Sequence, residues 1–291
     1  MTLLDGKLTS GKHKEQIAEE VRALKAKGVV PGLAVVIVGD DPASRIYVDN
    51  KKKDCAQCGF YSEEHALPGD CDREHLLALI GGLNRRADIH GILVQSPLPG
   101  HLNEKEVLLA IGPDKDVDAF HPFNVGRIMI GDFDFAPCTP AGVLALLDEY
   151  GIPVAGKECV VVGRSNIVGK PMGLLLLQRH GTVTVCHSRT VDLGGVTRRA
   201  DILVSAVGRE GLITGDMVKQ GAVVIDVAMN KNSAGKLVGD VCFDEAAAKA
   251  SYLTPVPGGV GPMTRVMLLR NTLTAALRAT GGLCRGQQHD N

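Results

Sequence analysis

Short, continuous apolar runs alternate with helical patterns along most of this 291-residue chain. Strands are predicted at residues 33–38, 61–66, 90–95, 159–162, 182–186, 202–206 and 222–227. Helices are predicted at residues 43–59, 72–87, 103–111, 141–150, 169–180, 191–200 and 214–219. Apolar strands joined by helical crossovers form parallel sheets that are covered by helices on both faces. The alternation therefore predicts an α/β fold with parallel sheets.

One long stretch, residues 112–140, breaks this alternation and carries scattered Pro, Gly and Asp. Loops of that length inside a compact domain are usually functional. Because the stretch separates two blocks of strands, two α/β domains are predicted. The first comprises residues 1–140 and is completed by a C-terminal helix at 264–283, and the second comprises residues 141–263.

The composition argues against several classes of partner. The formal net charge is −1, aromatic residues make up only 3% and Trp is absent, so a nucleic-acid partner is not expected. No apolar run reaches the length of a membrane span, so no membrane association is expected. The first residues lack the basic segment and apolar core of a signal peptide, so a cytoplasmic protein is predicted.

The eight Cys and nine His form no recognisable metal motif. Cys55 and Cys58 make one C-x-x-C pair, but no second pair follows at zinc spacing. Both lie inside a helical pattern rather than at a helix start, where a redox thiolate would be activated. No metal site is predicted, and a metal or redox role for this pair is the minor alternative.

The segment from Val160 to Pro171 has the strand, turn and helix start of a Rossmann-type phosphate loop. It departs from G-x-G-x-x-G, because Ser165 takes the second glycine position and the next glycine is Gly169. Backbone N–H groups at the helix N-terminus would bind the phosphates of a dinucleotide. An ordinary turn between strand and helix is the alternative.

The end of the following strand indicates which dinucleotide this loop would take. An NAD enzyme places Asp or Glu there to hold the ribose hydroxyls, whereas residues 186–190 read Cys-His-Ser-Arg-Thr. Arg164, Ser188 and Arg189 offer donors and positive charge where a 2′-phosphate would lie. NADP is therefore predicted in preference to NAD, with a solvated basic turn as the alternative.

Tyr47 and Lys51 are four residues apart in a predicted helix and so share one face. A phenol beside an ammonium is a plausible acid/base pair, with an exposed Lys-rich helix face as the alternative. The alternative suits Lys52 and Lys53 better. Gln95 ends a predicted strand, where α/β sheets bind ligands, and could orient a water or a substrate edge or simply close a turn.

The most acidic short run is Asp114–Asp118. It could bind Mg²⁺, although its spacing is not that of an EF-hand. It could also offer one carboxylate to the edge of an amino-pyrimidine.

The run Thr254–Thr264 contains three Pro and three Gly with almost no charge, and a helical pattern follows it directly. Rigid, glycine-rich backbone before a helix suits close approach to a flat or anionic ligand. A structural crossover between two elements is an equally favoured alternative.

These features together resemble the family of bifunctional methylenetetrahydrofolate dehydrogenases/methenyltetrahydrofolate cyclohydrolases. The matching segments occur in family order and span nearly the whole chain. They are Ala43–Lys51, Gly91–Gln95, Lys115–Asp118, Pro137–Pro140, Gly163–Gly169, His187–Thr190, Val224–Val227, Gly239–Val241 and Thr254–Thr264. The sequence Pro-Gly-Gly-Val-Gly-Pro-Met-Thr within the last segment is highly specific to this family.

The resemblance implies an enzyme of one-carbon metabolism with two activities at one site. NADP⁺ would oxidise 5,10-methylenetetrahydrofolate to the methenyl form, and water would then hydrolyse that product to 10-formyltetrahydrofolate. The first domain would bind the folate and carry the catalytic residues, and the second would be the Rossmann-type NADP-binding domain. Because hydride passes from folate to nicotinamide, the resemblance also implies an active-site cleft between the two domains. A homodimer is implied by the family alone.

The resemblance also implies roles for individual residues. Lys51 would be the principal catalytic residue, Gln95 would support it, Tyr47 would flank the folate and Asp118 would bind the amino edge of the pterin. Further folate contacts are implied for Val94, Pro257 and Gly258. The dinucleotide would be lined by Gly163, Arg164, Ser165, Ser188, Met229 and Thr264, with Thr139 near the nicotinamide.

The chain departs from the family pattern at Ser96, Ala119, Ala228 and Arg265, where the family usually has Leu, Gly, Gly and Ile or Val. Three other functions stay open. A short-chain dehydrogenase would use Tyr47 and Lys51 as its Tyr-x-x-x-Lys pair, but that pair would then follow the nucleotide loop rather than precede it. A catalytically silent NADP- or folate-binding regulator and a family member that retains only the dehydrogenase activity are the others.

Overall fold

The structure, a computed structural model, describes residues 1–281 of the chain. Its strands are β1 (Thr2–Leu3), β2 (Gly32–Val38), β3 (Tyr61–Leu67), β4 (Gly91–Val94), β5 (Glu158–Val162), β6 (Thr182–Cys186), β7 (Ile202–Ser205), β8 (Val223–Asp226), β9 (Asn230–Lys231), β10 (Leu237–Val238) and β11 (Tyr252–Leu253). Its α-helices are α1 (Gly6–Lys25), α2 (Pro42–Cys58), α3 (Arg73–Arg85), α4 (Glu104–Ala110), α5 (Pro122–Ile130), α6 (Cys138–Glu149), α7 (Gly169–Gln178), α8 (Leu193–Thr197), α9 (Phe243–Ala247) and α10 (Val260–Ala279). None of the helices within residues 1–281 is long and apolar enough to cross a bilayer.

The chain divides into two compact units, each built on a parallel sheet. The three-stranded unit comprises residues 12–136 and 268–281, and the six-stranded unit comprises residues 1–11 and 137–267. The predicted α/β class with parallel sheets is therefore confirmed.

In the three-stranded unit the strand order is β3-β2-β4, and all the pairings are parallel. Helix α2 connects β2 to β3, and α3 connects β3 to β4. Because the strand order reverses beside β2, the carboxyl ends of β2 and β4 form a topological switch point, where open α/β sheets bind ligands. Every residue of β2 is buried, as expected for a central strand covered on both faces.

In the six-stranded unit the order is β1-β11-β8-β7-β5-β6, again with parallel pairings throughout. The chain runs outward from β5 to β6, then crosses back to β7, so the switch point lies between the carboxyl ends of β5 and β7. This is the arrangement of a doubly wound dinucleotide-binding sheet. A small antiparallel hairpin of β9 and β10 follows β8.

The first residues of the chain lie in the six-stranded unit rather than in the domain predicted for residues 1–140. The reason is that β1 adds to the edge of the sheet, where Thr2 pairs with Tyr252 and Leu3 pairs with Leu253. The second break between the units falls between residues 136 and 137. Residues 282 and 283 of the predicted C-terminal helix lie outside the described part of the chain.

Two segments that were expected to be irregular contain helix. Helix α5 lies within residues 112–140, where the side chain of His121 accepts a hydrogen bond from the N–H of Phe123 and Gly131 ends the helix at a φ of 80°. Helix α10 begins at Val260, inside the Pro- and Gly-rich run. Pro262 is tolerated there because the N–H groups of a first helical turn need no partner within the helix.

His90, just before β4, is buried and links that edge strand to the central strand β2. Its Nδ1 accepts a hydrogen bond of 3.0 Å from the N–H of Gly32. Burial lowers the pKa of His90, the charge of Lys115 lowers it further, and Asp88 opposes the shift. In the folded chain the ring of His90 therefore stays neutral to a lower pH than in the unfolded chain. Its contribution to the free energy of unfolding is complete above the ordinary histidine pKa of about 6.5 and is lost as the pH falls below that value.

We expect the variant His90→Asn, which keeps an acceptor but cannot titrate, to lose less stability than the native chain between pH 7 and pH 5. Protonation of His90 would turn its Nδ1 from an acceptor into a donor that faces the N–H of Gly32. Chemical unfolding across this pH range would measure the difference, at about 1.4 kcal/mol per unit of pKa shift. His75→Asn, at an exposed histidine, is the control; equal acid sensitivity in all three proteins would contradict the prediction.

Candidate active site

Lys51 and Gln95 meet at the switch point of the three-stranded unit. Lys51 lies on α2, which follows β2, and its Nζ donates a hydrogen bond of 2.8 Å to Oε1 of Gln95. Gln95 directly follows β4, and its backbone N–H bonds the carbonyl of Val36 in β2 at 2.8 Å. Its side-chain Nε2 donates to the carbonyl of Ser96 at 2.7 Å, so the amide oxygen is turned toward the ammonium. The arrangement holds one ammonium group at the ligand-binding edge of the sheet.

The neighbouring lysines have other environments, which singles out Lys51. Lys52 is exposed and pairs with Glu64 at 2.9 Å, and Arg45 bonds the same carboxylate at 2.5 Å. Lys53 is exposed. Tyr47 precedes Lys51 by one helical turn and has 41% of its surface exposed, so its ring is available at the same helix face.

The acidic run divides into residues with different surroundings. Asp114 is exposed, whereas Asp116 is buried and accepts hydrogen bonds from the N–H of His121 at 2.8 Å and the Nδ2 of Asn124 at 2.9 Å. Burial raises the pKa of Asp116. The backbone of Asp116 also forms an isolated parallel β-bridge with Ile92 of β4. These contacts fix the loop that carries the half-buried Asp118.

Among residues 1–281, no group of three or more His, Cys, Asp or Glu side chains is arranged to hold a metal ion. Cys55 and Cys58 are both buried free thiols, and burial raises the pKa of Cys55 to about 12. A thiol with such a high pKa is almost entirely protonated at neutral pH, so it is a poor nucleophile.

In the six-stranded unit, the predicted phosphate loop lies at the switch point. Gly163 has a φ of 130°, and a Cβ there would be 2.4 Å from the carbonyl oxygen of Ala206, so only glycine fits. The hydroxyl of Ser165 accepts hydrogen bonds from the N–H groups of Val168 at 3.1 Å and Gly169 at 3.2 Å. The loop thus turns tightly into α7, and Arg164 at its tip is exposed.

The turn after β6 presents polar side chains beside this loop, because β6 is the neighbour of β5. The N–H of His187 bonds the hydroxyl of Thr190 at 2.8 Å, and the N–H of Arg189 bonds Nδ1 of His187 at 3.1 Å. These bonds close the turn and leave Ser188 and Arg189 exposed. Arg164 and Ser188 therefore lie at the carboxyl ends of adjacent parallel strands.

The remaining predicted dinucleotide residues are gathered around the run 254–264 in the same unit. The hydroxyls of Thr139 and Thr264 are 3.0 Å apart and hydrogen-bonded. Met229 is 45% exposed, and its sulfur would be 3.9 Å from a Cβ on Gly261. The structure thus brings Thr139, Met229 and Thr264 to one region of the six-stranded unit, next to Gly261.

The run itself is held by its own backbone and by the start of α1. The N–H of Gly259 bonds the carbonyl of Pro255 at 2.8 Å, and the carbonyl of Gly258 accepts from the N–H of Gly6 at 3.0 Å. A Cβ on Gly6 would be 1.7 Å from the carbonyl oxygen of Gly259. Pro257 is exposed and Gly258 is half-buried, so this half of the run remains accessible.

The departures from the family pattern have different structural consequences. Ala119 is fully buried with a φ of 58°, a left-handed conformation that glycine adopts without cost. Ala228 does not have a positive φ, so alanine there needs no strained backbone. Asp226 and Asp240 lie in segments that match the family, and both are buried. An acidic residue at the end of an apolar strand was the signal that could have found Asp226.

Comparisons with known proteins cover both units. The family model described as tetrahydrofolate dehydrogenase/cyclohydrolase, catalytic domain, matches residues 4–118. The model described as the NAD(P)-binding domain of the same family matches residues 137–280. A bifunctional protein FolD from Anaeromyxobacter dehalogenans is 60% identical over 279 residues, which is 96% of this chain and 99% of that protein.

Two solved structures are similar to this chain over nearly its whole length. The bifunctional FolD methylenetetrahydrofolate dehydrogenase/cyclohydrolase of Campylobacter jejuni is 50% identical with a TM-score of 0.94, and the match covers 96% of this chain and 99% of that one. The Trypanosoma brucei methylenetetrahydrofolate dehydrogenase-cyclohydrolase, solved with NADP cofactor and an inhibitor, is 41% identical with a TM-score of 0.91. That match covers 96% of this chain and 98% of that one.

Proposed function

Because the chain belongs to the tetrahydrofolate dehydrogenase/cyclohydrolase family, we propose that it is a bifunctional enzyme of one-carbon metabolism. It oxidises 5,10-methylenetetrahydrofolate to 5,10-methenyltetrahydrofolate with NADP⁺, and it hydrolyses the methenyl product to 10-formyltetrahydrofolate. The observation that carries this proposal is the family match over nearly the whole chain, together with the Lys51–Gln95 pair at the switch point of the three-stranded sheet.

For the hydrolytic step we assign the proton transfer to Lys51. The methenyl carbon is electrophilic, and the water that adds to it must lose a proton. Lys51 takes that proton at the lone pair of Nζ when its side chain is a neutral amine. An N–H of the same nitrogen still donates to the amide oxygen of Gln95, 2.8 Å away, and this bond keeps the group in one place. Tyr47, on the same helix face, flanks the folate ring, and Asp118 accepts from the amino edge of the pterin. Further folate contacts are assigned to Val94, Pro257 and Gly258.

The residues of the six-stranded unit fit NADP. Because Gly163 has no Cβ, the phosphate loop packs directly against the carbonyl of Ala206 and turns into the N-terminus of α7, a position that suits a phosphate. When bound, NADP⁺ supplies the acceptor for the hydride. We assign Gly163 and Ser165 to the phosphates, Arg164 and Ser188 to the 2′-phosphate, and Met229, Thr139 and Thr264 to the nicotinamide side.

The variant Arg164→Ala is expected to lower kcat/KM for NADP⁺ about tenfold or more and to change that for NAD⁺ much less. The physical reason is the loss of a charge-assisted hydrogen bond to a group that NAD⁺ lacks. Steady-state kinetics with both cofactors would measure this difference. Lys170→Ala, whose exposed side chain bonds Asn166 at 2.7 Å, is the matched control. Equal losses of kcat/KM with both cofactors would contradict the assignment of Arg164 to the 2′-phosphate.

One time course tests the function as a whole. The purified chain is supplied with methylenetetrahydrofolate and NADP⁺, and NADPH, the methenyl intermediate and 10-formyltetrahydrofolate are followed separately. Formation of all three is the expected result. No turnover would favour a silent binding protein, and methenyl accumulation without hydrolysis would favour an enzyme with the dehydrogenase activity alone. Oxidation of simple alcohols instead of folate would favour a short-chain dehydrogenase.

We also propose that the enzyme is a cytoplasmic homodimer. The seven described cysteines, residues 55, 58, 71, 138, 159, 186 and 242, are free thiols, which suits a reducing compartment. Sedimentation velocity at assay concentrations would test the oligomeric state, and a monomer under those conditions would contradict it.

A further inference from the structure

Asp240 is a fully buried carboxylate on which several donors converge. Its Oδ2 accepts from the hydroxyl of Ser205 at 2.9 Å. Its two oxygens also accept from the backbone N–H groups of residues 207–209 at 2.7, 3.3 and 2.7 Å. The Nδ2 of Asn230 donates to Oδ1 at 3.2 Å. Asp240 therefore fixes the turn that follows β7 and ties it to the residue that begins β9.

Asp226, at the end of β8, accepts hydrogen bonds from the loops after β8 and β10. Its carboxylate accepts from the N–H groups of Ala228 at 3.2 Å, Asp240 at 3.0 Å and Val241 at 2.9 Å. Its own N–H donates to the hydroxyl of Thr254 at 2.7 Å. A Cβ on residue 239 would be 1.8 Å from Oδ2 of Asp226, so the chain passes directly against the carboxylate.

The segments that these two carboxylates fix are the ones that carry the proposed dinucleotide residues. The turn held by Asp240 includes the carbonyl of Ala206, which faces Gly163 of the phosphate loop. The amide held by Asp226 belongs to Ala228, which immediately precedes Met229. Thr254 begins the run that ends at Thr264. One buried cluster thus lies behind the carboxyl ends of β7, β8 and β11.

The two buried carboxylates contribute little net free energy to the stability of the fold. Burying a carboxylate is unfavourable unless donors satisfy it, and buried charged groups often contribute less than apolar packing would. Burial and the nearby charge of Asp240 raise the pKa of Asp226 to about 6. A carboxylate pair that accepts eight hydrogen bonds does, however, impose one geometry on the loops after β7, β8 and β10, because any shift leaves a buried donor or acceptor unsatisfied.

We propose that Asp226 and Asp240 are positioning residues for NADP, acting through the backbone of the loops after β7 and β8. The inference deepens the proposed function and rests on it. Asp240→Asn would point two N–H donors at groups that are themselves donors, so the turn at residues 207–209 would shift. The loss should fall on dinucleotide binding alone, since hydrolysis of the methenyl compound requires no hydride acceptor.

The test compares Asp240→Asn with Asp244→Asn, an exposed aspartate on α9. We expect Asp240→Asn to weaken NADP⁺ binding about tenfold or more by calorimetry, with a similar rise in KM and with hydrolysis of added methenyltetrahydrofolate within twofold of the native rate. Asp244→Asn should match the native chain in all three. Unchanged NADP⁺ affinity, or equal loss of both activities, would overturn the positioning role.

A second variant covers the case in which Asp240→Asn fails to fold. Ser205→Ala removes a single donor to Asp240 and should weaken NADP⁺ binding about threefold to tenfold while hydrolysis is retained. Native affinity in a folded Ser205→Ala protein would overturn the proposal in that case. Failure of the proposed function itself gives a different result, since the native chain would then show no folate turnover whether or not it binds NADP⁺.

Discussion

Replacement of Lys51 by alanine is expected to reduce hydrolysis of methenyltetrahydrofolate by about 10²- to 10⁴-fold, the usual contribution of a positioned acid/base group. The Lys51 side chain, whose Nζ bonds Gln95 at 2.8 Å, is the group of the three-stranded unit to which we assign proton transfer. Affinity for NADP⁺ should be unchanged, because the proposed dinucleotide residues belong to the other unit. Loss of absorbance of the methenyl compound, corrected for its spontaneous hydrolysis, measures the first quantity and calorimetry measures the second.

The chain offers a matched control one residue away. Lys52 is on the same helix, but it is exposed and paired with Glu64, so Lys52→Ala should retain native hydrolysis. Gln95→Ala should give an intermediate loss, since it leaves the ammonium in place but removes the acceptor that fixes it. Full hydrolytic turnover by the Lys51→Ala variant would eliminate the catalytic role of this residue.

Replacement of Gly163 by alanine is expected to weaken NADP⁺ binding about 100-fold and to abolish most dehydrogenase turnover. A Cβ would be 2.4 Å from the carbonyl oxygen of Ala206, and the φ of 130° is one that L residues rarely adopt. The phosphate loop must therefore move away from the switch point, at a cost of about 3 kcal/mol, which corresponds to roughly two factors of ten in affinity. Calorimetry with NADP⁺ and initial rates of NADPH formation are the measurements.

Hydrolysis of added methenyltetrahydrofolate provides the internal standard for this variant and should remain near the native rate. Gly11→Ala is the control for a glycine substitution as such. A Cβ on Gly11 meets no atom within 4 Å, and the residue lies inside α1, so alanine should stabilise the helix slightly. If Gly163→Ala bound NADP⁺ as the native chain does, the phosphate loop would have to be placed elsewhere.

Together the two substitutions should separate the two activities. Lys51→Ala should bind NADP⁺ without hydrolysing the methenyl compound, and Gly163→Ala should show the converse. Such a double dissociation would assign hydrolysis to a residue of the three-stranded unit and NADP⁺ binding to a residue of the six-stranded unit. A parallel loss of both activities in both variants would point to a shared structural defect instead.

Much of the fold could be predicted because its signals are local. The strands around Leu33–Val38 and Cys159–Val162 are continuous apolar runs, and such runs indicate central parallel strands without any tertiary information. Helix α1 was not predicted, because most of its residues are polar and only Ile17, Val21 and Leu24 show the apolar helical spacing. Helix α5 was not predicted either, because Pro and Gly usually interrupt helices. Here Pro122 begins the helix and Gly131 ends it.

The sequence by itself determined the class of fold, the family and the residue types of the site, because these depend on periodicity and on short motifs. Only the tertiary structure showed the hydrogen bond between Lys51 and Gln95, the pairing of Lys52 with Glu64, and the reason why Gly163 must be glycine. It also assigned β1 to the six-stranded sheet and revealed that Asp226 and Asp240 share one buried cluster. Those outcomes depend on contacts between residues far apart in the chain, and a hydrogen bond or a close approach of that kind leaves no periodic trace in the sequence.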